Sequence, residues 1–172
     1  MPRVFVGVGS NVGPEENVAR ALRLVDAELG VRGVSTFYRT PALERPLDPP
    51  FVNGVIEVDD ALSPLETRAL LKGIEHALGR TRPEDRYGPR TLDLDLLLHG
   101  DQVLPSDALK LPHPDIGTRA FVAVPLLELA PDLILPDSGI PLRSVVESLP
   151  SYPMEPLRDL TRRLRVEVAH GS

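Results

Sequence analysis

Val4, Val6 and Val8 fall on one side of residues 3–8, the period of a buried strand. The alternation stops at Gly9-Ser10-Asn11-Val12-Gly13, which reads as a glycine turn, and Pro14 with Glu15 and Glu16 opens a helix. Val18, Ala21, Leu22, Val25 and Leu29 recur at helical spacing until Gly30 stops them. Residues 31–38 and 51–58 read as a second and a third strand. Ser63-Pro64-Leu65-Glu66 is a capping box with proline at the first helical position, and Leu70, Ile74, Ala77 and Leu78 give the helix behind it an apolar face ending at Gly79. Residues 92–98 read as a fourth strand.

Two stretches break this rhythm. Residues 39–50 hold Pro41, Pro46, Pro49 and Pro50, and residues 80–91 are polar throughout. Loops of about a dozen residues in a small domain are usually functional or disordered. The order βαββαβ predicts an α/β (α+β) fold: a split-βαβ, ferredoxin-like core with a mainly antiparallel sheet and helices on one face. A loop through Leu111-Pro112-His113-Pro114 follows, then short helices over 118–129 and 142–149. From residue 151 the pattern is weak, and four arginines crowd 158–165. The expected organisation is one domain over 1–150 and a C-terminal extension of uncertain structure over 151–172.

Composition narrows the classes. A chain of 172 residues with 42% hydrophobic and 26% charged residues buries a globular core. Nineteen basic against twenty-five acidic residues give a net charge of −6, which argues against nucleic-acid or anionic-membrane binding. No apolar run approaches the ~18 residues of a membrane span, and the first residues lack signal-peptide architecture, so the expected location is the cytoplasm. Without cysteine there is no disulfide, thiolate ligand or cysteine nucleophile. Only Lys72 and Lys110 are lysines, proline is abundant, and Asn and Gln are scarce. Heat adaptation and a GC-rich genome both fit that composition.

Three segments carry candidate chemistry. Gly7-Val8-Gly9-Ser10-Asn11-Val12-Gly13 has one residue too many for a dinucleotide fingerprint and lacks the Lys-Ser/Thr of a phosphate loop. In Leu92-Asp93-Leu94-Asp95-Leu96, residues two apart share a face, so two carboxylates stand together opposite a leucine face. Such a pair suits a divalent cation, and hard oxygen ligands select Mg²⁺ with phosphates completing the shell; a half-buried strand showing acids to solvent is the plain alternative. The loop before it brings Arg80, Arg82, Arg86 and Arg90, guanidinium forks suited to phosphate, directly into that pair. His113, fixed between two prolines, is the better-placed of the histidines.

Arg86-Tyr87-Gly88-Pro89-Arg90-Thr91-Leu92-Asp93-Leu94-Asp95 closely resembles the signature of the 6-hydroxymethyl-7,8-dihydropterin pyrophosphokinase family. Gly7-Val8-Gly9-Ser10-Asn11, Phe37-Tyr38-Arg39-Thr40-Pro41, Phe51-Val52-Asn53, Leu111-Pro112-His113 and Arg119-Ala120-Phe121 sit in matching order. The likeness runs from about residue 3 to residue 142 and implies a ferredoxin-like fold. It also implies transfer of pyrophosphate from ATP to the pterin hydroxymethyl oxygen in folate biosynthesis, with release of AMP. By this resemblance Asp93 and Asp95 bind two Mg²⁺ ions, and Arg80 and Arg90 act on the transferring group. Lys72, Glu75, Arg82, Tyr87, Leu96, His113 and Arg119 bind ATP; Thr40, Pro41, Leu43, Phe51, Asn53 and Phe121 bind the pterin. Tyr87, Pro114, Pro83, Ala108 and Lys110 depart from residues common in the family.

The expected partners are therefore ATP and 6-hydroxymethyl-7,8-dihydropterin, with no nucleic acid, no membrane and a monomeric chain. Two rivals remain at this stage. Asp93-Leu94-Asp95 also fits a DxD nucleotide-sugar transferase, which needs a larger sheet than this length supplies. A ferredoxin-like nucleotide-binding regulatory module without catalysis explains the fold but leaves the arginine loop and Asn53 without a role.

Overall fold

A computed structural model describes residues 2–11, 13–41, 50–59, 62–79 and 92–171. Strand β1 (Val4–Ser10) leads into helix α1 (Pro14–Leu29), followed by β2 (Val31–Val34), β3 (Tyr38–Thr40), β4 (Phe51–Val58), α2 (Pro64–Gly79) and β5 (Asp93–His99). A hairpin of β6 (Leu104–Ser106) and β7 (Leu109–Leu111), a 3-10 turn (Pro114–Gly117), α3 (Ala120–Leu129), α4 (Leu142–Ser148), β8 (Glu155–Pro156) and α5 (Arg158–Gly171) complete the chain. The main sheet is antiparallel in the order β5-β1-β4-β3-β8, with β2 beside the far end of β4.

Valines at alternate positions of β1 meet Ile56, Leu94 and Leu96 under α1, α2 and α5 in one core. Phe5, Val55 and Leu97 emerge on the other face and pack under α3 and α4 with Ile116, Leu126 and Leu142. The two helices of the βαββαβ unit lie on one face as expected, and the additional helices α3 and α4 after β5 cover part of the other. At α2 the capping box forms as read, the Ser63 N–H donating to Glu66 Oε1 at 3.2 Å and the Glu66 N–H to Ser63 Oγ at 3.3 Å. The core face of that helix includes Leu71, while Ala77 is exposed.

Three further expectations change. The segment 9–13 is not a single turn: Gly7 and Gly9 lie within β1, and the left-handed backbone sits at Gly13 (φ 54°), which caps α1. The second strand is two strands, broken at residues 35–37. There the Phe37 ring is fully buried against Gly54, where a Cβ would approach it to 2.5 Å. The N–H groups freed by the break find side chains instead. Thr36 donates to the Glu128 carboxylate at 3.0 Å and Phe37 donates to Thr161 Oγ1 at 2.9 Å, which leaves no orphan donor at that bend.

The segment after residue 151 is also ordered into elements. Glu155–Pro156 pairs with β3, and α5 sends Leu160, Leu164 and Val168 into the larger core. Arg163 joins α5 to α1 through Glu16 at 2.8 Å. The apolar residues recur every fourth position, the helical period, but the four arginines among them mask it.

Candidate active site

The half of the second face that α3 leaves uncovered is a row of small and polar residues. Gly9 in β1 pairs with Asn53 on one side and Asp93 on the other. Neighbouring strands stand about 4.8 Å apart, so Asn53 and Asp93 flank the glycine across roughly 10 Å of sheet. A Cβ on Gly9 would lie 2.8 Å from Asn53 Oδ1, so the bare backbone is what keeps this floor open. In the next row on this face, Gly7 stands opposite Asp95. The aspartates share the open face because Leu92, Leu94 and Leu96, alternating with them, are buried. That part of the sequence reading holds.

On the β3–β4 side, Asn53 Nδ2 donates to Thr40 Oγ1 at 2.7 Å, and buried Thr40 pairs with Phe51 in register. Thr40, Phe51 and Asn53 therefore form one group. Phe121, in the first turn of α3, stands 5.9 Å from the ring of Tyr152. The Tyr152 hydroxyl donates in turn to the Pro41 carbonyl at 3.1 Å. Tyr152 thus ties Phe121 to the end of β3, and the sequence reading missed it. The usable signal was its rarity, since only 4% of the chain is aromatic. Arg119 lines a small hollow of about 60 Å³ with Phe121 and Tyr152.

On the β5 side the outer edge of the sheet is closed by α2. Glu75 Oε2 accepts the Leu94 N–H at 2.8 Å and Lys72 Nζ at 2.7 Å, while Lys72 also donates to the Leu94 carbonyl at 3.2 Å. Two side chains thereby take the place of a missing strand at the residue between the aspartates. Lys72 Nζ also lies 3.5 Å from Asp95 Oδ1 and 4.0 Å from Asp93 Oδ1. Burial opposes its charge, but Glu75, Asp95 and Asp93 outweigh burial and hold the Lys72 pKa above its ordinary value. An ammonium between two half-exposed carboxylates shows that the spot favours a cation. Among the described residues no group of three or more acidic or histidine side chains is arranged to hold a metal by itself, and two aspartates joined by phosphate or water oxygens would give an all-oxygen shell. That donor set fits Mg²⁺.

Beside Asp95 opens a cavity of about 230 Å³ lined by Arg68, Lys72, Leu96, Lys110, His113 and Pro114 among others. The His113 N–H donates to the Leu97 carbonyl at 2.9 Å, so its backbone extends the edge of β5. Its Nδ1 accepts the Asp115 N–H at 3.1 Å, which puts the proton of the neutral ring on Nε2. Lys72, Leu96 and His113 thus line one cavity, with Glu75 bonded to Lys72, whereas Arg119 lines the hollow at Tyr152. Arg80, Arg82, Tyr87, Arg90 and Leu43 lie outside the described residues.

The sheet order and the two helical layers define a ferredoxin-like α/β protein with a two-sided polar site. The chain belongs to the 7,8-dihydro-6-hydroxymethylpterin-pyrophosphokinase (HPPK) family, whose sequence profile it matches over residues 5–131. It is 43% identical over 161 residues to the 2-amino-4-hydroxy-6-hydroxymethyldihydropteridine pyrophosphokinase of Pseudomonas aeruginosa, covering 92% of this chain and 96% of that one. The protein of the same name from Synechocystis is 42% identical over 148 residues, covering 84% of this chain and 74% of that one. Among solved structures, an HPPK-DHPS in complex with substrates superposes with a TM-score of 0.69 at 12% identity, over 86% of this chain and 45% of that chain. A Plasmodium falciparum HPPK-DHPS gives 0.68 at 13% identity, over 84% and 44%. The chain spans less than half of those solved chains, and at such identity the likeness is one of fold.

Proposed function

We propose that this chain transfers the pyrophosphoryl group of ATP to the hydroxymethyl oxygen of 6-hydroxymethyl-7,8-dihydropterin, releasing AMP, as a step in folate biosynthesis. Family membership supports the reaction. The observation that supports its placement is the row Asn53–Gly9–Asp93, with Asp95 in the next row, which brings a side-chain amide and two carboxylates to one open face.

In this reading the pterin lies over the Asn53 end. The amide of Asn53 both donates and accepts, as the edge of the pterin ring requires, and the bond to Thr40 fixes which way it points. Phe51 and Phe121 supply aromatic faces for a flat heterocycle, with Pro41 beside them. ATP lies over the Asp93–Asp95 end, with its base near Leu96 and the Lys72–Glu75 clip and its phosphates toward His113 in the same cavity. Asp93 and Asp95 would hold two Mg²⁺ ions, which supply Lewis-acid charge for the ATP phosphates. Holding both substrates on one rigid sheet converts a bimolecular encounter into a local one, which adds to the rate that charge on the phosphates would supply. Arg80, Arg82, Tyr87 and Arg90 precede β5 in the chain and complete the phosphate side; Arg119 and Leu43 complete the assignment.

No helix among the described residues is long and apolar enough to cross a membrane. A cytoplasmic location with no binding to nucleic acid or membrane is the reading that charge and composition support, and a monomer is the simplest assembly that goes with it. Incubation with ATP, Mg²⁺ and the hydroxymethyl-dihydropterin tests the whole: AMP and the pterin diphosphate should appear together. Formation of ADP would make it an ordinary kinase, and no nucleotide turnover would favour a non-catalytic regulatory module.

A further inference from the structure

The largest of the cavities described lies away from this site, between α5 and the edge of β3. It holds about 620 Å³ and is walled by Tyr38, Pro156, Arg158, Arg162, Arg165 and Val166 among others. That is within the usual size range of small-molecule sites, roughly 300–1,000 Å³. The three arginines are spaced four and three apart on one helix and so share a face. Arg165 is fixed in place, its Nε donating to the Val34 carbonyl at 3.0 Å and its NH2 to Glu128 at 3.1 Å. Among the described residues the only ion-pair partner of Arg162 is Asp159, at 3.6 Å and with both side chains largely in solvent, which neutralises it weakly. Arg158 has no ion-pair partner among the described residues. In a chain of net charge −6, this is a local excess of positive charge with forks that match phosphate oxygens. Tyr38, Pro156 and Val166 add an apolar wall against which a flat ring can lie.

We propose that this cleft is a second anion site, distinct from the one on the open sheet face, for a small phosphate ester whose phosphates meet Arg158 and Arg162 while its body packs on Tyr38. The occupant would press on β3 directly across from Asn53, since Tyr38 and Asn53 are register partners. Nothing in this cleft depends on the assignment of the catalytic residues.

The test is an amide NMR titration of the full chain with AMP, inorganic pyrophosphate, adenosine and a glutamate-rich peptide in separate arms. AMP and pyrophosphate should give saturable shifts at residues 36–38 and 156–166, and adenosine should not; a larger response to AMP would show that the ring contributes. The double variant Arg158→Glu with Arg162→Glu should weaken those shifts at least tenfold with unchanged melting, while any shifts along β1 and β5 persist. Absence of saturable shifts in this cleft with both phosphate compounds overturns the proposal. So does their persistence in the double variant, and so does a response to the peptide alone, which would make the cleft a protein-docking surface.

Discussion

Lys72 places its ammonium nitrogen 3.5 Å from Asp95 Oδ1, and the same nitrogen is held by Glu75 at 2.7 Å. The carboxylate pair therefore carries its own tethered counter-ion. Replacing Lys72 with Met leaves the carboxylates of Glu75, Asp93 and Asp95 facing one another without their ammonium, and at a half-exposed site this should cost about 1 kcal/mol or less. Melting without metal should fall accordingly, and Mg²⁺ should restore more stability to Lys72→Met than to the parent. Identical melting with and without Mg²⁺ in both proteins would mean that Lys72 does not neutralise the pair. The pH sign follows from a raised pKa: this contribution is fully present below the ordinary lysine value of 10.5 and is lost only as the pH rises through the higher folded value.

Gly9→Ala tests the floor of the site. The added Cβ would stand 2.8 Å from Asn53 Oδ1, so the amide must swing away from Thr40. Losing that orientation forfeits roughly one hydrogen bond, about 1 kcal/mol, so pterin affinity should fall about fivefold while ATP affinity is retained. Calorimetric titration of each ligand separately reads this directly.

Tyr152→Phe removes only the hydroxyl that reaches the Pro41 carbonyl, whereas Tyr152→Ala also removes the ring beside Phe121. Pterin KM should rise modestly in the first and about tenfold in the second, the loss of an aromatic contact together with a hydrogen bond. ATP KM should stay near the parent value. Equal changes in both constants would assign Tyr152 a general structural role.

Alternation between Leu and Asp at 92–96 and the capping box at Ser63 were legible in the sequence because each depends on neighbours a few residues away. The break at 35–37 was not, because it is held by Glu128 and Thr161, over 90 residues distant. Gly9 looked like the start of a turn because glycine is common in turns. Its role in a strand becomes visible only once Asn53 and Asp93 flank it in register. The Lys72–Glu75 clip likewise depends on β5 being an edge strand, which is a property of the sheet and not of α2.

Acid should loosen α5 first at its surface pair. The hydrogen bond from Arg163, and its charge, hold the Glu16 carboxyl below its ordinary value, so this contribution is present above that value and is lost as the pH falls through the folded pKa. Melting followed from about pH 6 to about pH 3 should drop less steeply for Glu16→Gln than for the parent. By contrast Leu164→Ala, at a fully buried position, should destabilise by about 2–5 kcal/mol at any pH in that range. An unchanged melting temperature for Leu164→Ala would contradict the docking of α5.

If the open face of the sheet joins a pterin half at Asn53 to a nucleotide half at Asp93 and Asp95, separate dissociation constants for two variants will divide along that line. Asn53→Ala should weaken the pterin by about 1–3 kcal/mol and leave Mg·ATP nearly unchanged, because an unpaired polar edge is felt only by the ligand that needs it. Asp95→Asn should do the reverse, weakening Mg·ATP while the pterin binds as before. Equal loss of both ligands in both variants, or no loss in either, would contradict that division.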